Sequence, residues 1–199
     1  MHHIYRTEAI ILSSRPSGES GKYLTVLTRD YGVLKIEAQA VRKNESKLRQ
    51  SIQDYSVSEI SFVRGKTGNK LVNASFVSNF FYDIKQLKPL KSFTKLFRLI
   101  EKMIVDEEKD VTVFNLLLET ADLLKANPEW DNDFLKALEI VVVYRILSGL
   151  GYIPGEAEYR FIVSNGITLE LIEGVKKLPN KDRENLVRLI NQAINESHL

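Results

Sequence analysis

Residues 7–55 read TEAIILSSRPSGESGKYLTVLTRDYGVLKIEAQAVRKNESKLRQSIQDY, and this stretch decides the fold. Short segments with a period of two alternate with glycine-containing turns, which indicates β-strands joined by tight connections. The period is clearest where Leu34, Ile36 and Ala38 alternate with Lys35 and Glu37. A polar connection follows and holds four cations, Arg42, Lys43, Lys47 and Arg49. Cations on a loop of a small β-barrel suit a phosphate backbone.

The same period of two continues to about residue 80. Five segments show it: Thr7–Ser13, Tyr23–Thr28, residues 34–41, residues 57–62 and residues 72–76, where Val72, Ala74 and Phe76 alternate with polar neighbours. Asp30-Tyr31-Gly32 predicts a hairpin turn, and Arg64–Lys70 is predicted to be a polar loop. Five short strands predict a small closed barrel. The long connection Arg42–Gln53 favours an OB-fold, while an SH3-like barrel or a small sandwich fits the same strand pattern.

After residue 80 the apolar spacing becomes that of helices. The predicted helices run from about Leu90 to Ile104 with Pro89 in the first turn, from Phe114 to Leu124, from a cap at Asp131 or Asn132 to Gly149, from a cap at Thr168 to Leu178, and from Leu186 to Ile194. The third is apolar over much of its surface, so it is predicted to be central. The fold class is therefore α+β, with a five-stranded barrel at 1–80 and a helical domain at 81–199.

Composition limits the classes of protein that this chain can be. It has 199 residues, 44% of them hydrophobic, so it can bury a core. It has no cysteine, which fits a reducing compartment, and we expect a cytoplasmic protein. Residues 1–80 hold 12 Lys and Arg against 7 Asp and Glu, a net charge of +5, whereas residues 81–199 hold 16 against 19, a net charge of −3. The first half is the better surface for a polyanion.

The sequence offers little for catalysis. Gly65-Lys66-Thr67 copies the end of a phosphate-binding loop, but Ile60 occupies the position of its first glycine and a strand follows, so a hairpin turn is favoured. The only histidines are His2, His3 and His198, and no nucleophile pair can be built from them. Asp106-Glu107-Glu108 suits a solvated helix end better than a cation site. We expect no enzymatic activity, cofactor, metal, membrane segment or small-molecule substrate.

The first part of the chain holds a spaced set of residues: Thr7, Ile10, Leu12, Arg15, Gly18, Glu19, Leu24, Leu27, Thr28 and Gly32. This set resembles the opening pattern of the RecO family of bacterial recombination mediators. Residues 38–47 resemble its A-x-G-x-R-K-x-x-S-K stretch, and residues 147–154 match L-x-x-L-G-Y-x-P. The chain departs from the family at Ala40, where a glycine is expected, at Ser20-Gly21 and at Asp54-Tyr55. Many relatives carry a four-cysteine zinc site, and this chain has no cysteine for one.

The resemblance implies an OB-fold followed by a helical domain and a function in recombinational DNA repair. It implies binding of single-stranded and double-stranded DNA, annealing of complementary strands, and help in loading RecA onto DNA covered by single-strand binding protein. RecR and the acidic tail of single-strand binding protein are the implied protein partners, and no ATP is used.

From the residues themselves we predict a cationic barrel surface that contacts phosphates. The candidate residues are Lys22, Arg42, Lys43, Lys47, Arg49, Arg64, Lys66 and Lys70. Tyr23 and Tyr31 are candidates for stacking on bases, with packing as the alternative for each. Barrel and charge fit RNA as well as DNA, so an RNA-binding OB-fold protein is one alternative. A protein-interaction adaptor that binds no nucleic acid is the other.

Overall fold

The computed structural model describes residues 3–42, 48–84, 87–104, 111–126, 130–153, 159–164 and 166–197. Five strands come first: β1 (Ile4–Ser17), β2 (Gly21–Thr28), β3 (Gly32–Ala38), β4 (Ser56–Gly65) and β5 (Gly68–Asn79). Seven helices follow within the described residues: α1 (Phe80–Asp83), α2 (Leu87–Met103), α3 (Val111–Ala126), α4 (Asn132–Gly149), α5 (Arg160–Val163), α6 (Leu169–Lys176) and α7 (Asn180–Glu196). None of the described helices has the length and apolarity needed to cross a membrane.

The chain divides into two compact units. The barrel unit comprises Met1–Asp83 with Ile104–Phe114, and the helical unit comprises Ile84–Met103 with Asn115–Leu199. The assignment of residues 1–80 and 81–199 to separate domains stays a prediction.

The five strands close into a ring in the order β1-β2-β3-β5-β4. All neighbours are antiparallel except β3 and β5, which join in parallel through Ile36 with Asn69 and through Glu37 with Lys70. The predicted α+β class and the OB-fold barrel are confirmed. The SH3-like barrel and the sandwich are therefore excluded.

The barrel interior is filled by the residues whose alternation marked the strands. The core contains Ala9, Ile11, Leu24, Val26, Leu34, Ile36, Ala38, Val41, Ile52, Ile60, Phe62 and Ala74, with Tyr5, Tyr31, Leu48 and Leu71 packed against it. A β-bulge between Ile11 and Ser13 interrupts β1. Because a bulge bends its strand, β1 can pair with β4 along one part and with β2 along the other.

The β2–β3 hairpin forms as predicted. The hydroxyl of Thr28 accepts the Tyr31 amide at 2.9 Å and donates to the Gly32 carbonyl at 2.8 Å. Gly32 has a φ of 68°, a backbone conformation that glycine adopts without steric cost. One threonine side chain and one glycine therefore fix the turn.

The predicted polar loop at Arg64–Lys70 is wrong in extent. β4 continues to Gly65 and β5 begins at Gly68, so only Lys66 and Thr67 form the turn. The preference for a hairpin over a phosphate-binding loop is confirmed. Of the three alternating apolar residues of β5, Val72 and Phe76 are exposed and Ala74 is buried. The register between β4 and β5 shifts twice along this strand, which ends the simple alternation of faces.

The connection between β3 and β4 is not wholly exposed where the structure describes it. Ser51 and Ile52 are buried, and Leu48 packs on the barrel core. The Ser58 hydroxyl donates to the Ser51 carbonyl at 2.6 Å, and the Tyr55 amide donates to the Ile11 carbonyl at 2.8 Å. These bonds hold residues 48–55 against the barrel. Lys43–Lys47, which include two candidate cations, lie outside the described residues.

Ala40 has a φ of 56° at the position where the RecO-like pattern has glycine. This left-handed conformation costs a residue with a side chain about 1–2 kcal/mol. Glycine removes that cost and loses about 0.5–1 kcal/mol of backbone entropy. We therefore expect Ala40→Gly to raise the free energy of unfolding by about 0.5–1 kcal/mol in urea titrations. Ala38→Gly is the control, because Ala38 is buried in β3 and its loss should destabilise. A destabilised Ala40→Gly variant would contradict the argument.

The helical unit is built around α4, as predicted. This helix buries residues on several sides and packs against α2, α5, α6 and α7. The Asp131 carboxylate accepts the Phe134 amide at 2.6 Å, and the Thr168 hydroxyl accepts the Leu171 amide at 3.2 Å. Both predicted caps are therefore confirmed. The hydrogen bond from Lys176, at 2.7 Å, and then the bond from the Phe134 amide lower the pKa of Asp131.

Candidate nucleic-acid interface

Four paired residues cross the outer surface of the barrel in a continuous row. Arg15 on β1 pairs with Tyr23 on β2, Tyr23 pairs with Glu37 on β3, and Glu37 pairs with Lys70 on β5. Directly paired residues lie side by side on the same face of a sheet. We call Arg15, Tyr23, Glu37 and Lys70 the outer row.

Tyr23 is the aromatic residue of the outer row, and its side chain is accessible. It is 41% exposed, while the next residue, Leu24, is buried in the barrel core. The Arg15 guanidinium lies over the Tyr23 ring, 5.3 Å from its centroid. Aromatic rings on an OB-fold surface stack on bases, and arginine adds a cation–π contact and a charge for phosphate.

A second row beside the first contributes another cation. Ser13 on β1 pairs with Thr25 on β2, and Thr25 pairs with Lys35 on β3. Lys35 is exposed, and its carbonyl accepts the Asn69 side-chain amide at 3.3 Å. This bond links β3 to β5 where the two strands meet. Arg15, Lys35 and Lys70 thus place three cations around one exposed tyrosine.

Arg42 lies next to the β1–β2 turn. Its amide donates to the Ser20 carbonyl at 2.9 Å, and its guanidinium donates to the Gly18 carbonyl at 3.4 Å. Gly21 begins β2 there, and a Cβ on it would lie 2.8 Å from the Ser17 carbonyl oxygen. The close approach of the strands requires glycine, so the turn beside Arg42 has a fixed position.

Lys22 does not belong to the outer row. It pairs with Pro16 and with the buried Ala38, and its ammonium donates to the Ser14 hydroxyl at 3.2 Å. Since Lys22 and Leu24 share a face of β2, the Lys22 side chain lies at an end of the barrel.

The other candidate cations are spread over the barrel unit. Arg64 lies over the rings of Tyr5 and Tyr31, 5.2 and 5.9 Å from their centroids. Lys66 is exposed in the β4–β5 turn, and Arg49 is exposed on the connection before β4. The structure therefore brings Lys70 into the outer row and leaves Arg49, Arg64 and Lys66 apart from it.

Tyr31 packs rather than stacks on a ligand. Its ring meets Phe62 at 5.6 Å and Tyr5 at 5.7 Å, edge to face in both cases. Such pairs stabilise a core. Of the two candidate tyrosines, Tyr23 is the one on the outer face.

Among the described residues, no ion pair neutralises the charged side chains of the outer row or Lys35. Within the residues that the structure describes, Lys35, Glu37 and Lys70 form no salt bridge, although Glu37 and Lys70 are register partners. No cluster of acidic or histidine side chains suited to a metal occurs in the same described ranges. The sequence has no cysteine, so it offers no thiolate ligands for a metal. The outer face therefore presents three cations, one aromatic ring and one carboxylate.

Comparison with known proteins places this barrel in a family. The model of the family described as "Recombination protein O N terminal" matches residues 1–80, which end directly after β5. The barrel of residues 1–80 is the N-terminal domain of the RecO family. It is similar to the DNA repair protein RecO of Thermodesulfovibrio yellowstonii, with 31% identity over 152 residues, which are 75% of this chain and 58% of that protein.

Other RecO proteins show a similar extent of likeness. The DNA repair protein RecO of Heliobacterium modesticaldum is 30% identical over 151 residues, 76% of this chain and 53% of that protein. That of a Cyanothece species is 29% identical over 154 residues, 77% of this chain and 52% of that protein. The chain thus spans little more than half the length of these RecO relatives.

Two cations of the outer face, Arg15 and Lys35, were not among the predicted site residues. Lys35 could have been found, because it alternates with Leu34 and Ile36 and must point outward. Arg15 gave a weaker signal, since the first predicted strand ended at Ser13 while β1 continues to Ser17. Its position beside Tyr23 depends on the register between β1 and β2, which no single residue of the sequence indicates.

Proposed function

We propose that this chain is a DNA-binding recombination mediator that acts in recombinational DNA repair. The observation that carries the proposal is the exposed Tyr23 ring, with Arg15, Lys35 and Lys70 around it on the outer face of an OB-fold barrel. A ring for stacking and cations for phosphates are the two parts that OB-folds use on single strands. The similar proteins are named DNA repair proteins, which supports DNA over RNA as the ligand.

The proposed binding mode favours unpaired bases. Cations contact the phosphates of any strand, whether single or double. A base reaches the Tyr23 ring only after it has left its own stack, so the aromatic contact favours single strands. Neutralised phosphates of two bound strands repel each other less, which assists annealing of complementary strands.

The eight cations predicted from the sequence stay part of the proposal. Lys70 lies in the outer row, and Arg42 lies at the turn that borders this face. We propose that the remaining cations extend the path of the backbone over the barrel unit. They are Lys22, Lys43, Lys47, Arg49, Arg64 and Lys66.

The finer parts of the proposal concern partners. We propose that the chain helps to load RecA onto DNA covered by single-strand binding protein and that RecR assists it. For the acidic tail of single-strand binding protein we propose a groove in the helical unit between α2, α4 and α7. Its lining is apolar at Leu99, Ile140 and Val187 and also includes Lys95 and Lys136. These lysines form ion pairs with Glu139 at 3.6 Å and with Asp133 at 3.3 Å, and we propose that the carboxylates of an acidic peptide take the place of these partners.

Tyr23→Ala tests the proposed binding mode. We expect it to weaken binding of a short single-stranded oligonucleotide about tenfold, because base–aromatic stacking contributes about 1–3 kcal/mol. The slope of log affinity against log salt should not change, because no charge is removed. Fluorescence anisotropy of a labelled DNA strand over a salt series measures both quantities, and the same strand as RNA compares the two ligands.

Tyr82→Ala is the matched control, since Tyr82 is 62% exposed on α1 outside the outer row. It should leave the affinity unchanged. Absence of salt-dependent binding by the unmodified chain would refute the proposed function and favour an adaptor. Equal affinities of the Tyr23→Ala and Tyr82→Ala variants would move the base contact away from the outer row.

A further inference from the structure

A carboxylate occupies the middle of the cationic outer face. Glu37 is the register partner of both Tyr23 and Lys70, and it is half-buried. Within the described residues its side chain has no hydrogen bond and no ion pair. An acidic group here weakens the attraction of the surface for phosphate, so a role in general DNA binding does not explain it.

The order of the strands places Glu37 beside the free side of the stacking ring. β2 lies between β1 and β3, and Arg15 reaches over Tyr23 from β1. A base that stacks on the side of Tyr23 not covered by Arg15 lies towards β3, where Glu37 and Lys35 are. The edge of such a base would then face the carboxylate, and its phosphate would face a lysine.

We propose that Glu37 makes this site selective for guanine in single strands and against thymine. The Watson–Crick edge of guanine presents two adjacent donors, N1–H and the N2 amino group, which a carboxylate accepts together. Adenine and cytosine present one amino group each. Thymine presents one N–H between two carbonyl oxygens, and these oxygens repel a carboxylate. The inference rests on the proposed function, because it assumes that a base stacks on Tyr23.

The physical reason for such a carboxylate is discrimination. A group that repels phosphate lowers the affinity for every strand. If it also repels the wrong base, it increases the difference in affinity between strands of different base sequence. The lack of an ion pair with Lys70 leaves the Glu37 oxygens available to a base.

The experiment compares three unlabelled strands, which compete with one labelled oligo(dT) probe for the full chain in fluorescence anisotropy. The first is oligo(dT), the second is oligo(dT) with guanine at every third position, and the third carries inosine at the same positions. Inosine lacks the N2 amino group and keeps N1–H. We expect the guanine strand to bind about tenfold more tightly than oligo(dT), as a good bidentate base contact does, with the inosine strand between them.

Glu37→Gln should remove the guanine preference and leave or raise the affinity for oligo(dT), since an amide no longer presents two acceptors and carries no charge. Glu59→Gln is the control, because Glu59 is exposed on β4 and pairs with Glu8 and Ser75, outside the outer row. It should keep the preference. Equal affinities for the three strands, or a preference that persists in Glu37→Gln, would overturn this inference alone. Absence of binding to all three strands would overturn the proposed function and the inference with it.

Discussion

Replacing Arg15, Lys35 and Lys70 together with glutamate is expected to weaken single-stranded DNA binding about a hundredfold at low salt. Each change removes a cation from the outer face and adds an anion that repels phosphate. Three phosphate contacts account for about two units of the slope of log affinity against log salt, at about 0.7 per contact. The slope should therefore become flatter by about two units.

The fold should survive these changes, because the charged ends lie on the outside of the barrel. Arg15 and Lys35 are exposed, and none of the three residues belongs to the barrel core. Fluorescence anisotropy over a salt series gives the affinity, and circular dichroism checks the fold. The loss should be similar for unrelated base sequences, since phosphate contacts carry little base information.

A matched control changes the same amount of charge elsewhere. Lys177, Lys181 and Arg188 are exposed in the helical unit, and their replacement by glutamate also takes the formal net charge from +2 to −4. This variant should lose far less affinity than the barrel variant. Equal losses would show that net charge, and not the outer face, governs binding.

The connection after β3 is the alternative location for the principal phosphate contacts. Replacement of Arg42, Lys43, Lys47 and Arg49 by glutamate tests the cations that the sequence made most prominent. If the outer face is the main site, this variant should lose less affinity than the change at Arg15, Lys35 and Lys70, although it reverses one more charge. A larger loss would place the principal phosphate contacts on the connection.

Much of the barrel could be predicted because its core residues alternate. Leu34, Ile36 and Ala38 identify β3 without any partner strand, and the alternation of Ile60 and Phe62 identifies β4 in the same way. Gly32 identified the β2–β3 turn because its positive φ is a local requirement. These features depend on neighbours along the chain, so a sequence displays them.

The features that escaped prediction depend on contacts between distant residues. Val72 is the extra residue where the register between β4 and β5 shifts, and it is exposed although it follows the alternation that marks a buried face. Phe76 keeps the register of the buried Ala74 and is nevertheless 39% exposed. The placement of Arg15 beside Tyr23 requires the bulge in β1 and a strand that passes through Pro16. Local composition therefore predicted the presence of cations, and strand register decided which of them share a face.

The burial of Ser51 and Ile52 shows the same limit at the β3–β4 connection. A run of polar and charged residues predicts an exposed loop, and Arg42 and Arg49 are indeed exposed. The Asn79 side chain donates to the Asp54 carbonyl at 3.1 Å and holds this segment from β5. A hydrogen bond between residues that are 25 positions apart produces no periodic pattern in the sequence.

Phe62→Ala is expected to lower the free energy of unfolding of the barrel unit by about 3–5 kcal/mol. Phe62 is fully buried, and its ring stacks on Tyr5 at 5.3 Å and meets Tyr31 edge to face at 5.6 Å. Removing the ring leaves a cavity among side chains held by three strands and a turn, which cannot collapse freely. Phe76→Ala is the matched control, because Phe76 is 39% exposed on the same barrel and should cost far less.

Urea unfolding of the Phe62→Ala variant also tests the proposed division into two domains. Trp130 is the only tryptophan, and it reports on the helical unit through its stacking on Phe134 at 4.1 Å. If residues 1–80 and 81–199 fold independently, the circular dichroism of the barrel should be lost at lower urea while the Trp130 transition stays in place. Equal shifts of both signals would show that the two units unfold as one cooperative structure. A cost below about 1 kcal/mol would contradict the rigid packing of Tyr5, Tyr31 and Phe62 on which the predicted size of the effect rests.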